Sequence, residues 1–162
     1  MEISQLIEVI PGIIIFKISE MEFCINVNDV HVIKRMEGPD KLEVYDSNDI
    51  AYIKIYNINI PIIDISKYFQ TGKKNIRKRN IVLIIKHHGE EDKLEKTFGI
   101  LVDEVVEIIS ADKSQNNYLM QFTPSNDNSF VSGAITWGER KILLPNYSKI
   151  ASTIFLKEIK VQ

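Results

Sequence analysis

The sequence predicts an all-β protein built as two small barrels packed together, and three observations lead there. Short β-branched segments recur, separated by turn signals every 8–12 residues, as in barrels and sandwiches. The chain also repeats itself. Residues 24–33 align without a gap on 99–108, so that Ile25, Val27, Val30 and Ile33 fall on Ile100, Val102, Val105 and Ile108, and Asn28-Asp29 falls on Asp103-Glu104. Residues 59–68 align in the same order on 141–150. Two copies of one β-rich unit, approximately 12–71 and 80–151, each lie near the size at which a hydrophobic core is marginal. Packing them against each other buries a shared seam, and strands can be exchanged between the two.

Each element follows from its pattern. Ile13–Ile18 is apolar and β-branched and reads as a strand, Ser19–Glu22 as a turn, and Phe23–Asn28 as a returning strand with Phe23, Ile25 and Val27 on one face. Gly38-Pro39-Asp40 breaks the pattern. Strands resume either side of a turn at Tyr56-Asn57, where asparagine tolerates the left-handed conformation. Residues 72–80 form a linker bearing Lys73, Lys74, Arg77, Lys78 and Arg79. Ile81–Ile85 and Phe98–Val102 read as a hairpin with a long polar tip, residues 111–128 as irregular, and 131–137 with 141–144 as a hairpin around Gly138-Glu139-Arg140. The period then changes: Ile150, Ile154, Phe155 and Ile159 share one face of a helix that Asn146 or Ser148 can cap.

Composition excludes more than it selects. The chain has 162 residues, a formal net charge of -2 and one cysteine, so no global basic field invites nucleic acid and no internal disulfide can form. No apolar run approaches the roughly 20 residues of a membrane span, and Met1–Leu6 lacks a basic signal region, so the expectation is a cytoplasmic protein with no direct membrane insertion. Chemistry is poorly provided for. Cys24 aligns with Gly99, which suits a small residue at a crowded position better than a nucleophile. His87-His88 on a polar tip lack preformed metal-ligand spacing. Neither catalytic residues nor a cofactor nor a metal is expected. What remains is surface: Val30, Val32 and Ile33, with Val105, Ile108 and Ile109, are repeated apolar positions, some core and the rest available to line a groove between barrels for a partner helix.

The chain resembles the CheW family of bacterial chemotaxis coupling proteins from about Gly12 to Ala151. The resemblance rests on Phe23-Cys24-Ile25-Asn26-Val27 followed by Val30 and Ile33, on Ile60-Pro61-Ile62-Ile63-Asp64-Ile65 with Phe69 after it, on Gly99-Ile100-Leu101-Val102-Asp103-Glu104-Val105, and on Gly133 through Leu144. It implies a single CheW-like domain over residues 1–162, made of two five-stranded SH3-like barrels with short helices, one of them C-terminal. It also implies a non-enzymatic adaptor linking the regulatory domain of the histidine kinase CheA, itself of this fold, to the cytoplasmic tip of chemoreceptors, in arrays at the membrane. The symmetry of the repeat puts Val30 and Ile33, with Val102 and Val105, at or beside the seam as partner-binding residues, and the resemblance adds Ala51, Tyr56 and Asn57. The family's Asn-Leu-Arg-Gly is here Lys54-Ile55-Tyr56-Asn57, so its arginine is tyrosine, its turn glycine asparagine, and an earlier glycine Ala51. A different class, a nucleic-acid-binding small barrel using the basic linker 73–79, is the alternative.

Overall fold

In the computed structural model, residues 12–36, 43–45, 50–69, 81–88, 95–110, 120–125 and 130–161 are described. They form twelve strands: β1 (Gly12–Ile18), β2 (Met21–Asn26), β3 (Val30–Arg35), β4 (Glu43–Tyr45), β5 (Ile50–Ile55), β6 (Ile58–Ile63), β7 (Ile81–His88), β8 (Glu95–Val102), β9 (Glu104–Ser110), β10 (Met120–Pro124), β11 (Val131–Trp137) and β12 (Arg140–Pro145). A short helix α1 (Ser66–Phe69) follows β6, and α2 (Tyr147–Val161) follows β12.

The strands form two six-stranded sheets, ordered β4-β5-β6-β8-β7-β3 (barrel 1) and β10-β11-β12-β2-β1-β9 (barrel 2). These are one order, with every strand of one sheet replaced in the other by the strand six places away in the chain. The hairpin β1–β2 sits in barrel 2 and the hairpin β7–β8 in barrel 1. Each inserted hairpin joins its host through a parallel pair: Leu143 opposite Phe23 in barrel 2, and Ile62 opposite Gly99 in barrel 1. The repeat carries Phe23 to Phe98 and Pro61 to Leu143, so the two joins lie on the same register, one residue apart.

The exchange explains the near-continuous apolar runs of β1 and β7, which are buried on both faces. Ile15 and Cys24 point into barrel 2 with Ile135 and Ile142. Val82 and Ile84 point into barrel 1 with Ile53, Ile60, Ile62 and Leu101. The alternate residues Phe16, Phe23, Leu83, Ile85, Phe98 and Ile100 meet in a third core that belongs to both barrels. Phe16 stacks on Phe23 at 5.6 Å between ring centroids, and Phe69 of α1 meets Phe23 edge-on at 4.9 Å. Each fully buried Phe or Ile here contributes about 1.5–3 kcal/mol over an exposed one.

Helix α2 closes the shared core with Ile150, Ala151 and Ile154. Asn146 caps it, its Oδ1 accepting from the Lys149 N–H at 3.1 Å. Ser148, the other candidate cap, instead bonds through Oγ to His87 Nε2 at 2.9 Å and ties β7 to the helix start.

Three sequence expectations change. The strand from Phe23 stops at Asn26, because the Asn26 side chain accepts from the Asn28 N–H and turns residues 27–29 into a 3₁₀ turn. Within the stretch read as irregular lies β10, paired with β11. It is an outermost strand, with Gln121 and Thr123 exposed and Phe122 half-buried, so its apolar signal is one residue. Each barrel is a sheet of six strands where five were expected, with the short β4 and β10 at corresponding ends. The basic linker at 73–79 and the tip of the β7–β8 hairpin lie outside the described residues.

Candidate partner-binding surface

The seam between the barrels is flanked by β3 and β9, the last strands of their sheets among the described residues. Both carry a β-bulge, and at equivalent residues. Val30 and Val32 lie opposite Ile85 and Ile84, which leaves His31 as the extra residue. Val105 and Glu107 lie opposite Phe16 and Ile15, which leaves Val106. A bulge reverses the inward and outward alternation beyond it. Ile33 therefore lies opposite Leu83, on the same face as Val30, and Ile108 lies opposite Ile14, on the same face as Val105. That face is the shared-core face. Val30 and Val105 are half-buried against the core, whereas Ile33 is 44% exposed and Ile108 60% exposed. The result is a pair of apolar steps on each side of the seam, related by the internal repeat.

The expected partner residues separate on this geometry. Val30, Ile33 and Val105 lie along the seam. Val102 is fully buried in the shared core, so it packs and presents nothing to a partner; this corrects its place among the contact residues. It precedes the bulge, on a strand buried on both faces. Ile108, the position that the repeat aligns with Ile33, is exposed on the same seam face. Ala51 packs half-buried against the core of barrel 1. Tyr56 and Asn57 stand elsewhere, at a barrel end, in a two-residue turn between β5 and β6. Both have left-handed backbone, φ 51° and 63°, and Tyr56 is 92% exposed with Ile58 beside it at 64%.

The corresponding turn of barrel 2 is Gly138-Glu139, with Gly138 at φ 63°. Beside it Arg140 donates from Nε and Nη2 to Glu22 Oε2 at 3.1 and 2.9 Å, and from Nη1 to Glu107 Oε1 at 2.6 Å. Its guanidinium lies 5.0 Å from the Trp137 ring centroid. One side chain thus ties β12 to the inserted strand β2 and to β9.

The titratable groups near the seam are held by packing. Burial pushes the Cys24 thiol up to about 12, so it stays protonated and unreactive in the folded chain. Tyr147 donates its hydroxyl to the Cys24 carbonyl at 2.7 Å, and burial raises it well above the ordinary phenol range. Asp29 is raised by burial, an effect opposed by His87 and His88. No group of three metal-ligating side chains occurs among the described residues, and no helix among them is long and apolar enough to cross a membrane.

The described residues form two barrels that exchange hairpins and share a core, with Ile33 and Ile108 exposed along the seam. The family model for the CheW-like domain matches residues 12–155, and the chain belongs to that family of chemotaxis adaptors. Among solved structures, it is similar to the scaffolding protein TtCheW from Thermoanaerobacter tengcongensis, with a TM-score of 0.62 and 23% identity over 83% of this chain and 88% of that one. No curated protein matches the sequence.

Proposed function

We propose that the chain is a chemotaxis adaptor that couples chemoreceptor tips to a CheA-type histidine kinase through protein interfaces and without catalysis. The receptor tip, a helical hairpin, lies along the seam and sets its apolar stripe against Val30, Ile33, Val105 and Ile108. The kinase regulatory domain, a protein of the same fold, contacts a barrel end. Through these contacts the adaptor is recruited to receptor arrays at the membrane.

The observation that carries the reading is the pair of matched bulges. They turn Ile33 and Ile108 onto the seam face while leaving both exposed. An edge strand that served only the fold gains nothing from two exposed isoleucines at equivalent positions.

The test is calorimetric titration of a receptor-tip fragment into the protein and into Ile33→Glu, Ile108→Glu and the double variant. Each single change is expected to weaken binding at least tenfold, with melting temperature unchanged. Equal affinity in the double variant would exclude the seam as the receptor site.

A further inference from the structure

We infer that Arg140 is a positioning residue for the receptor tip: by holding Glu107 it fixes strand β9, and with it the Ile108 step, on one side of the seam. This rests on the adaptor function proposed above and assigns that function a residue that touches no partner along the seam.

Strand β9 has reason to need a hold. Among the described residues it is the last strand of its sheet, paired on one side with β1. Its ladder is interrupted at Val106, and a bulge loosens the pairing around it. Glu107 is the first paired residue beyond the bulge, and the exposed Ile108 follows it directly. Glu107 lies opposite Ile15, on the barrel 2 face, so Glu107 and Ile108 stand on opposite faces of one strand. Pinning the first from inside the barrel sets the pitch of the second outside it.

The pin comes from across the barrel. In the sheet, β12 and β9 are separated by β2 and β1, three steps of roughly 4.8 Å. Arg140 of β12 nevertheless donates from Nη1 to Glu107 Oε1 at 2.6 Å, because the sheet curls. The guanidinium is itself fixed elsewhere. Its Nε and Nη2 donate to Glu22 Oε2, and it lies over the Trp137 ring. A planar fork held at those points is a rigid reference. Glu22 in turn precedes Phe23, which is fully buried in the shared core. Strand β9 is thereby referred to the core of the molecule and not only to its neighbour β1.

Barrel closure does not account for the clamp. Barrel 1 closes with the same strand order and has Ile58, Val32 and Thr97 at the positions of Arg140, Glu107 and Glu22. Stability accounts for little of it, since the Arg140 and Glu107 side chains are 35% and 36% exposed and solvent screens such a pair. A tie that the sister barrel lacks, and that ends one residue from an exposed contact side chain, is explained by what it positions.

The test is calorimetric titration of a receptor-tip fragment into the full chain and into Arg140→Ala, alone and combined with Ile108→Ala or with Ile33→Ala. Arg140→Ala is expected to weaken binding about fivefold, with the melting temperature nearly unchanged. Combined with Ile108→Ala, it should cost less than about twofold more, whereas combined with Ile33→Ala, across the seam, it should cost its full factor. Hydrogen exchange of the β9 segment should speed up about tenfold in Arg140→Ala while that of β3 stays as in the wild type. Glu107→Gln, which removes the charge and keeps the shape, should reproduce the binding loss in part and guards against a folding defect in Arg140→Ala. Binding by Arg140→Ala and Glu107→Gln equal to wild type, or a loss that adds equally to both isoleucine variants, would overturn the inference and leave the adaptor reading standing. A wild-type chain that does not bind the fragment, or isoleucine variants that bind it as well as the wild type, would overturn both.

Discussion

The ends of the two barrels are the same piece of fold with opposite chemistry. In barrel 2 the end is tied down by Arg140, which bridges Glu22 and Glu107 and lies over Trp137. The repeat carries these four residues to Ile58, Thr97, Val32 and Ile55 in barrel 1. There the arginine is an exposed isoleucine, and the glycine of the turn is Tyr56. Strand order and parallel joins are nevertheless shared, so neither the clamp nor the bare patch is required for closure. Partly exposed ion pairs of this kind contribute at most about 1 kcal/mol. The cores hold the barrels, and the ends are free to differ according to what meets them.

The largest effects should fall where the two halves are alike. Phe23 and Phe98 are equivalent, both fully buried in the shared core, and one lies on each inserted hairpin. Phe23→Ala and Phe98→Ala should each cost about 3–5 kcal/mol in urea unfolding. A protein indifferent to one of them would show that the exchanged hairpins are not equivalent supports.

The next effect separates the halves. A Cβ on Gly133 would lie 2.6 Å from the Phe122 ring and 2.7 Å from the Thr123 carbonyl oxygen, so backbone must move. On Gly99 it would meet side chains, Val82 at 2.9 Å and Ile62 at 3.0 Å. Gly133→Ala should therefore cost about 2–3 kcal/mol, and Gly99→Ala about 1 kcal/mol. The reverse order of midpoints would mean that the β10–β11 contact at Gly133 yields more readily than the β6–β8 join at Gly99.

Cys24, which occupies the position equivalent to Gly99, gives the comparison a pH dependence. Its thiol titrates near 12 in the folded chain against an ordinary 9.0, so the folded state holds the proton more tightly. Stability from this group is complete below pH 9.0 and is lost as pH rises toward about 12. Cys24→Ala should flatten that alkaline loss, and native Cys24 should resist thiol reagents at pH 8 until the chain is unfolded. Rapid labelling under native conditions would show an open barrel 2.

The smallest effects lie at the turns and should have opposite signs. Tyr56→Gly relieves left-handed strain and should stabilise by up to about 1 kcal/mol, while Gly138→Ala introduces it and should destabilise by about the same. Identical signs would remove the argument that Tyr56 is kept at the expense of stability.

Much of this fold was legible in the sequence because its apolar pattern is doubled. Ile13–Ile18 and Ile81–Ile85 read as strands, and the alignment of 24–33 on 99–108 marks the two units as copies, while which hairpins are exchanged comes from the pairing. Bulges were not legible, since an extra residue changes pairing without changing composition. The sequence therefore leaves open which of Val105, Ile108 and Ile109 face the seam, and Val102, placed there by the repeat, is buried in the shared core. The strand β10 was hidden for a related reason: an outermost strand has one wet side, and its single inward Phe122 carries no period. The Arg140 clamp joins residues that are distant in the chain, so only the fold brings Glu22 and Glu107 to one guanidinium.

The central claim is that one chain holds two partners at separate surfaces, the receptor tip along the seam and the kinase regulatory domain at a barrel end. Sedimentation of the protein with both fragments present tests it directly. A complex containing all three components is predicted, with Ile33→Glu/Ile108→Glu losing the receptor fragment and retaining the kinase domain. Mutually exclusive binding of the two fragments, or retention of the receptor fragment by the double variant, would contradict the account.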